Sequence, residues 1–100
     1  MVECKVIISP AAQNDFQDVI EHLETLSPDV AISYYDLFIE KTEVLKSTPE
    51  ICPLARDPQL RLRGYRLLTI ENYIVFYVIN GGVVEIRRIL YARRQYERLF

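Results

Sequence analysis

The sequence predicts a single α+β domain over residues 1–100, with the element order β-α-α-β-β-β. Two observations carry this prediction. Ser9-Pro10 and Ser27-Pro28 each combine an N-capping serine with a proline that suits the first helical turn. Residues 64–91 are rich in β-branched and aromatic side chains and are divided by turn signals. We therefore expect a helical hairpin packed on one face of a small, mostly antiparallel sheet.

The helices follow from the spacing of apolar residues. Behind Pro10, apolar side chains recur at steps of three and four as far as Leu26, which predicts an amphipathic helix. A second helix is predicted from Pro28 to about Ser47, folded back on the first because the link is so short. Three prolines then predict an ordered loop over residues 48–60.

The strands are short segments between turn signals. The first is predicted at residues 2–8, and the others at residues 64–70, 73–79 and 83–91. Glu71-Asn72 and Asn80-Gly81-Gly82 read as turns, the second a strong hairpin signal because these residues tolerate positive φ. The first strand must join the same sheet to satisfy its backbone groups.

Composition limits the classes of function. The longest unbroken apolar run is seven residues, against the ~20 that span a bilayer, so we expect a cytoplasmic protein without membrane contact. Cys4 and Cys52 are far apart, form no CxxC pair and lie near no pair of histidines. This spacing predicts two reduced, partly buried thiols, and neither a metal site nor a cofactor.

Charge is divided between the two halves of the chain. The net charge is -2 overall, with -7 in residues 1–55 and +5 in residues 56–100. Every lysine lies in the first half and every arginine in the second. The asymmetry indicates a polyanionic or acidic partner for the second half, or else mutual ion pairs between two layers of the fold.

Three segments resemble a known family. VIISPAAQNDFQDVIEHL near the start, LRLRGYRLLTIENYIVFYVI in the middle and VEIRRILYARRQYERLF at the end are similar to the RelE/ParE superfamily of toxins from bacterial type II toxin–antitoxin modules. The resemblance implies a RelE/ParE-like fold and a cognate antitoxin that wraps around the toxin. It also implies contact with operator DNA only through that antitoxin.

The resemblance leaves two main activities open. RelE-like members are ribosome-dependent endoribonucleases that cut mRNA without a metal, whereas ParE-like members inhibit DNA gyrase by binding it. Arg66, in the GYR motif, and Arg93, just past the last strand, match catalytic arginines of the nucleases. Arg61 and Arg63 stand where RelE carries lysines, and Tyr96 matches its tyrosine less well.

The nuclease needs a base and an acid that the sequence does not readily supply. The one histidine, His22, is predicted on the solvated side of the first helix. Arginine is a poor general base because its pKa exceeds ~12. The predicted pI of 5.4 is also low for a protein that binds RNA. We therefore favour the ParE-like activity, with the nuclease as the alternative and an inactive, antitoxin-binding member as a third possibility.

The arginine-rich ending predicts a docking surface for the antitoxin or for the target. Its candidate residues are Arg87, Arg88, Arg93, Arg94 and Tyr96. Arg87 and Arg88 are adjacent, so they point to opposite faces of a strand unless a bulge intervenes. The expectation is that guanidinium groups from separate β segments gather on one open side of the sheet.

Overall fold

The computed structural model describes residues 3–93 and 99–100. Within them the elements are β1 (Lys5–Ile8), α1 (Pro10–Leu26), α2 (Pro28–Ser47), α3 (Pro58–Leu62), β2 (Arg66–Ile70), β3 (Tyr73–Asn80) and β4 (Val83–Tyr91). No helix of this part of the chain has the length and apolar character needed to cross a membrane. Apart from α3, the order is the predicted β-α-α-β-β-β.

Both long helices begin where the serine-proline steps predict. The Ser9 side chain accepts a hydrogen bond from the amide of Ala12 at 3.2 Å, and Ser27 accepts from the amide of Asp29 at 3.2 Å. Each cap satisfies one of the amides that a helix leaves free in its first turn. The Ser9 hydroxyl also donates to the carbonyl of Arg87 at 3.0 Å, which ties the start of α1 to β4.

The four strands form one mixed sheet in the order β1-β4-β3-β2. β1 runs parallel to β4, and the other two pairings are antiparallel. The predicted α+β fold is therefore confirmed, including the place of the first strand in the sheet. β1 pairs only with residues 83–86 of β4. The part of the same β4 edge that follows these residues faces the start of α1 instead.

The sheet separates two hydrophobic clusters. The cluster on the helical side joins α1 and α2 to the sheet and includes Ile70 and, at its margin, Leu68. The cluster on the opposite side includes Tyr65, Leu67, Phe76, Val78 and Leu90, with Leu60 of α3 and Phe100 packed against them. Residues 65 and 67 therefore face the side opposite residues 68 and 70, in keeping with the alternation of side chains along a strand. We call the side without α1 and α2 the open face.

The prediction of a continuous loop over residues 48–60 is wrong at its end. Pro58 begins α3 because it stands at the first helical position, where its missing N–H costs nothing. Asp57 caps this turn by accepting from the amide of Leu60 at 3.0 Å. Leu60 is only 2% exposed and covers the open face. The helix stops before Gly64, whose φ of +80° suits glycine, so β2 starts at Arg66 rather than at residue 64.

Candidate functional site

A β-bulge brings two neighbouring arginines to the open face. Phe76 pairs with Arg88 and Tyr77 pairs with Ile86, which leaves Arg87 as the extra residue of β4. Arg88 lies opposite Phe76, a member of the open-face cluster. Arg87 contacts Glu85, whose partner Val78 belongs to the same cluster. The bulge thus interrupts the alternation of side chains along β4, which would otherwise place Arg87 and Arg88 on opposite faces of the sheet.

Tyr65 lies at the centre of this arginine group. The guanidinium carbon of Arg63 is 5.9 Å from the centroid of the Tyr65 ring, within the range of a cation–π contact. Tyr65 is also one of the groups that raise the pKa of Arg87 and Arg88, although it is a minor cause for both. We call Arg63, Tyr65, Arg87 and Arg88 the arginine face.

Phe100 packs against the same place. Its ring centroid is 4.9 Å from that of Tyr65 in an edge-on contact and 5.0 Å from that of Phe76. The neighbouring rings help to bury Tyr65, which is only 5% exposed. A buried aromatic centre with cations around it is suited to binding rather than to proton transfer.

Arg87 is only partly neutralised. Its Nη2 lies 2.7 Å from Oε1 of Glu85, and its Nε donates to the same oxygen at 3.0 Å. This hydrogen bond is the main cause of the raised pKa of Arg87, and together with the bond from Asn80 it lowers the pKa of Glu85. The Arg87 side chain remains 42% exposed, so a partner can reach it.

The Glu85 contact predicts a pH dependence. Because the folded-state pKa of Glu85 is lowered, its contribution to stability is present above the ordinary glutamate pKa of about 4.3 and is lost as the pH falls through the folded-state value. We expect the difference in unfolding free energy between wild type and Glu85→Gln, measured by urea titration, to shrink on acidification. High salt should reduce it at neutral pH, since the pair is partly exposed to solvent. A difference that grows on acidification would contradict this assignment.

Arg88 is tied to the helical layer. Its Nε donates to Oδ2 of Asp15 at 2.7 Å and its Nη2 to Oδ1 at 3.1 Å, while Nη1 reaches the carbonyl of Leu99 at 3.3 Å. The hydrogen bond that Arg88 donates to Asp15 is the main cause of the raised pKa of Arg88. Asp15 also accepts from the amide of Ile89 at 2.9 Å, so one carboxylate closes the free edge of β4. Arg88 is therefore mainly a structural cation.

Arg66 lies on the other side of the sheet. Its Nη1 donates to the carbonyl of Cys52 at 2.6 Å and reaches that of Glu50 at 3.4 Å. In the alternation of β2 it shares the helical side with Leu68 and Ile70. The expectation that Arg66 joins the other arginines on one open side is thus wrong, because the loop before α3 uses its guanidinium to satisfy backbone carbonyls.

A stability measurement checks this role. We expect Arg66→Ala to lower the free energy of unfolding by about 1–2 kcal/mol, because it removes a charge-assisted hydrogen bond to a carbonyl of the loop. Arg56→Ala is a matched control with the same change of charge at an exposed position. Equal unfolding free energies for the two variants, measured by urea denaturation, would contradict the structural role.

Of the remaining predicted residues, the structure describes Arg61 and Arg93. Arg61 is exposed in the last turn of α3, and Arg93 is exposed just past β4. Neither pairs with a carboxylate among residues 3–93 and 99–100. Arg94 and Tyr96 lie outside the described residues.

The histidine and the two cysteines are not members of the arginine face. His22 is exposed on α1 and lines a cavity of about 380 Å³ together with Asp15 and Asp18. That cavity lies at the edge of the sheet, where Asp15 also binds Arg88. Within the described part of the chain, no three or more His, Cys, Asp or Glu side chains are grouped as metal ligands. Cys4 is half-buried and Cys52 is buried, both as free thiols.

Sequence reasoning missed Tyr65, although a signal was present. The GYR motif contains it, and adjacent residues of a strand point to opposite faces, which separates Tyr65 from Arg66. The motif therefore contributes Tyr65 to the arginine face and Arg66 to the loop on the other side. The bulge, which brings Arg87 beside Arg88, had no comparable signal.

Comparisons with known proteins point to one family. A model of the ParE toxin of the type II toxin–antitoxin system parDE matches residues 6–96. Among solved structures, the chromosomal ParDE toxin–antitoxin system from P. aeruginosa contains a similar chain, with a TM-score of 0.74 and 19% sequence identity. The match covers 91% of this chain and 98% of the other, and at this identity it shows a shared fold. A search of curated proteins found no match.

Proposed function

Since the chain belongs to the ParE toxin family of type II toxin–antitoxin systems, we propose that it arrests growth by binding DNA gyrase and that a cognate antitoxin neutralises it in the cytoplasm. The observation that carries the proposal is the composition of the arginine face. It offers cations around a buried aromatic ring, with Arg66 turned to the opposite side of the sheet. Such a surface is suited to docking on an acidic protein surface.

The antitoxin is proposed to use the same surface. An acidic antitoxin segment would meet the exposed guanidinium groups of Arg63 and Arg87, whose charge attracts it over a distance. Covering this face would exclude the target. The antitoxin would also supply the contact with operator DNA, since the toxin itself has a net charge of -2.

The nuclease alternative rests on a narrower observation. Arg61 and Arg63 are both exposed, and Arg63 lies beside Tyr65, so phosphate could approach this edge of the open face. Cleavage by a ribose 2′-OH would further need a base and an acid within hydrogen-bond reach of the reacting atoms. The arginine face holds a tyrosine and three arginines, which favour charge stabilisation over proton transfer.

Two assays on purified protein separate the candidates. We expect the wild-type protein to inhibit DNA supercoiling by gyrase and to leave mRNA intact on translating ribosomes, as judged by primer extension. Cleavage of mRNA in the ribosomal A site, with supercoiling unaffected, would contradict the proposal and favour the nuclease. Normal growth on expression without the antitoxin, with neither activity, would instead identify an inactive family member.

A further inference from the structure

A second surface lies on the helical side of the sheet, where the α1–α2 link meets the β2–β3 turn. It is a groove of about 430 Å³ with apolar walls that include Leu23, Leu26 and Val30. Leu26 is 66% exposed and Val30 is 44% exposed. The groove's polar rim contains the carboxylates of Asp29 and Glu71. Leu23 belongs to the helical-side cluster, so the groove and the arginine face are on different sides of the sheet.

Tyr34 gives this groove an unsatisfied donor. The side chain lines the groove, the residue is only 4% exposed, and its hydroxyl has no hydrogen-bond partner among residues 3–93 and 99–100. Burial raises the pKa of Tyr34, with smaller contributions from Tyr73 and Glu71, which line the same groove. The hydroxyl oxygen has almost no accessible surface, so an acceptor from a partner could reach it only after a small movement of the groove wall. Buried hydroxyls without partners are unusual in folded proteins, and an acceptor supplied in this way would satisfy the Tyr34 hydroxyl.

We propose that the groove docks a basic and apolar segment of a partner protein, at a site distinct from the arginine face. Apolar side chains of the segment would cover Leu26 and Val30, and lysine or arginine side chains would pair with Asp29 and Glu71. A backbone carbonyl of the segment would accept from the Tyr34 hydroxyl. Charge complementarity selects this occupant, because residues 1–55 carry a net charge of -7 and the rim residues are acidic.

Model peptides test the chemistry of the occupant. The probe is a helical peptide in which leucines recur at steps of three and four to form one apolar face and lysines occupy the opposite face, and its counterpart carries glutamate in place of every lysine. We expect the lysine peptide to bind wild-type protein in isothermal titration calorimetry and the glutamate peptide to bind at least about tenfold more weakly. Absence of binding by the lysine peptide, or equal binding by both peptides, would overturn the proposal.

Matched variants separate the groove from general attraction to an acidic surface. Asp29→Asn/Glu71→Gln should weaken binding of the lysine peptide at least about tenfold. Asp36→Asn/Glu40→Gln removes the same charge from exposed positions of α2 outside the groove and should leave the affinity within about twofold. Equal losses in the two double variants would overturn the proposal.

Tyr34→Phe tests the hydroxyl itself. Removing an unsatisfied buried hydroxyl should leave the unfolding temperature unchanged or raise it, while the affinity for the lysine peptide falls about threefold to tenfold. A lower unfolding temperature, or an unchanged affinity, would overturn the role of the hydroxyl. Arg63→Ala/Arg87→Ala should bind the peptide like wild type, so failure of the groove and failure of the gyrase proposal remain distinguishable.

Discussion

Expression of the Arg63→Ala/Arg87→Ala variant without an antitoxin is expected to leave growth nearly normal, whereas the wild-type chain is expected to arrest it. The two side chains supply the accessible cations of the arginine face, because Arg88 is held by Asp15 and Arg66 lies on the opposite side of the sheet. Arginines at the centre of an interface commonly contribute 2 kcal/mol or more each. Losing both should weaken target binding at least about 100-fold. Culture density after induction measures the effect.

The control for this variant removes the same number of positive charges from positions outside the arginine face. Lys41→Ala/Arg56→Ala removes two exposed cations, one on α2 and one in the loop before α3. We expect this control to arrest growth like wild type at equal protein levels, checked by immunoblot. If both double variants arrest growth, or if both fail, the arginine face does not carry the activity.

The largest effect on stability is expected at Asp15. Asp15→Ala should lower the free energy of unfolding by about 3 kcal/mol, because it leaves Arg88 without its carboxylate and the amide of Ile89 without an acceptor. Both side chains of the ion pair are mostly buried, with 14% exposure for Asp15 and 26% for Arg88. Chemical denaturation in urea, followed by circular dichroism, measures the change.

Two further variants provide a comparison for the loss of stability expected in Asp15→Ala. Asp15→Asn keeps an oxygen that can accept from Ile89, so it should lose clearly less stability than Asp15→Ala. Asp18→Ala removes an exposed carboxylate from the same helix and should change stability by less than about 0.5 kcal/mol. Similar losses for Asp15→Ala and Asp18→Ala would show that the closure of the β4 edge contributes little.

The fold could be predicted because its signals are local. Ser9-Pro10 and Ser27-Pro28 begin helices through capping chemistry that acts within one turn, and Asn80-Gly81-Gly82 marks a hairpin through backbone conformation. The short helix α3 was not predicted, because Pro58 was interpreted as a residue that excludes helix. The cap at Asp57 and the burial of Leu60 decide that segment, and burial depends on contacts with the distant sheet.

The site was harder to predict because it depends on tertiary contacts. The bulge at Arg87 lies just beyond the part of β4 that pairs with β1. There, Ser9 and Asp15 form hydrogen bonds to β4 in place of a neighbouring strand. These contacts join residues that are more than 70 positions apart, so a short stretch of sequence does not reveal them. Likewise, Arg66 was expected to face a ligand, but the carbonyl of Cys52 lies within its reach. Residues far apart along the chain therefore determine which arginines remain available to a partner.

The most direct test of the account is the affinity of the purified protein for immobilised DNA gyrase, measured by surface plasmon resonance. The account predicts binding by wild type and by Lys41→Ala/Arg56→Ala with similar dissociation constants, and at least about 100-fold weaker binding by Arg63→Ala/Arg87→Ala. Wild-type affinity in the Arg63→Ala/Arg87→Ala variant, or no binding by the wild-type protein, would contradict it.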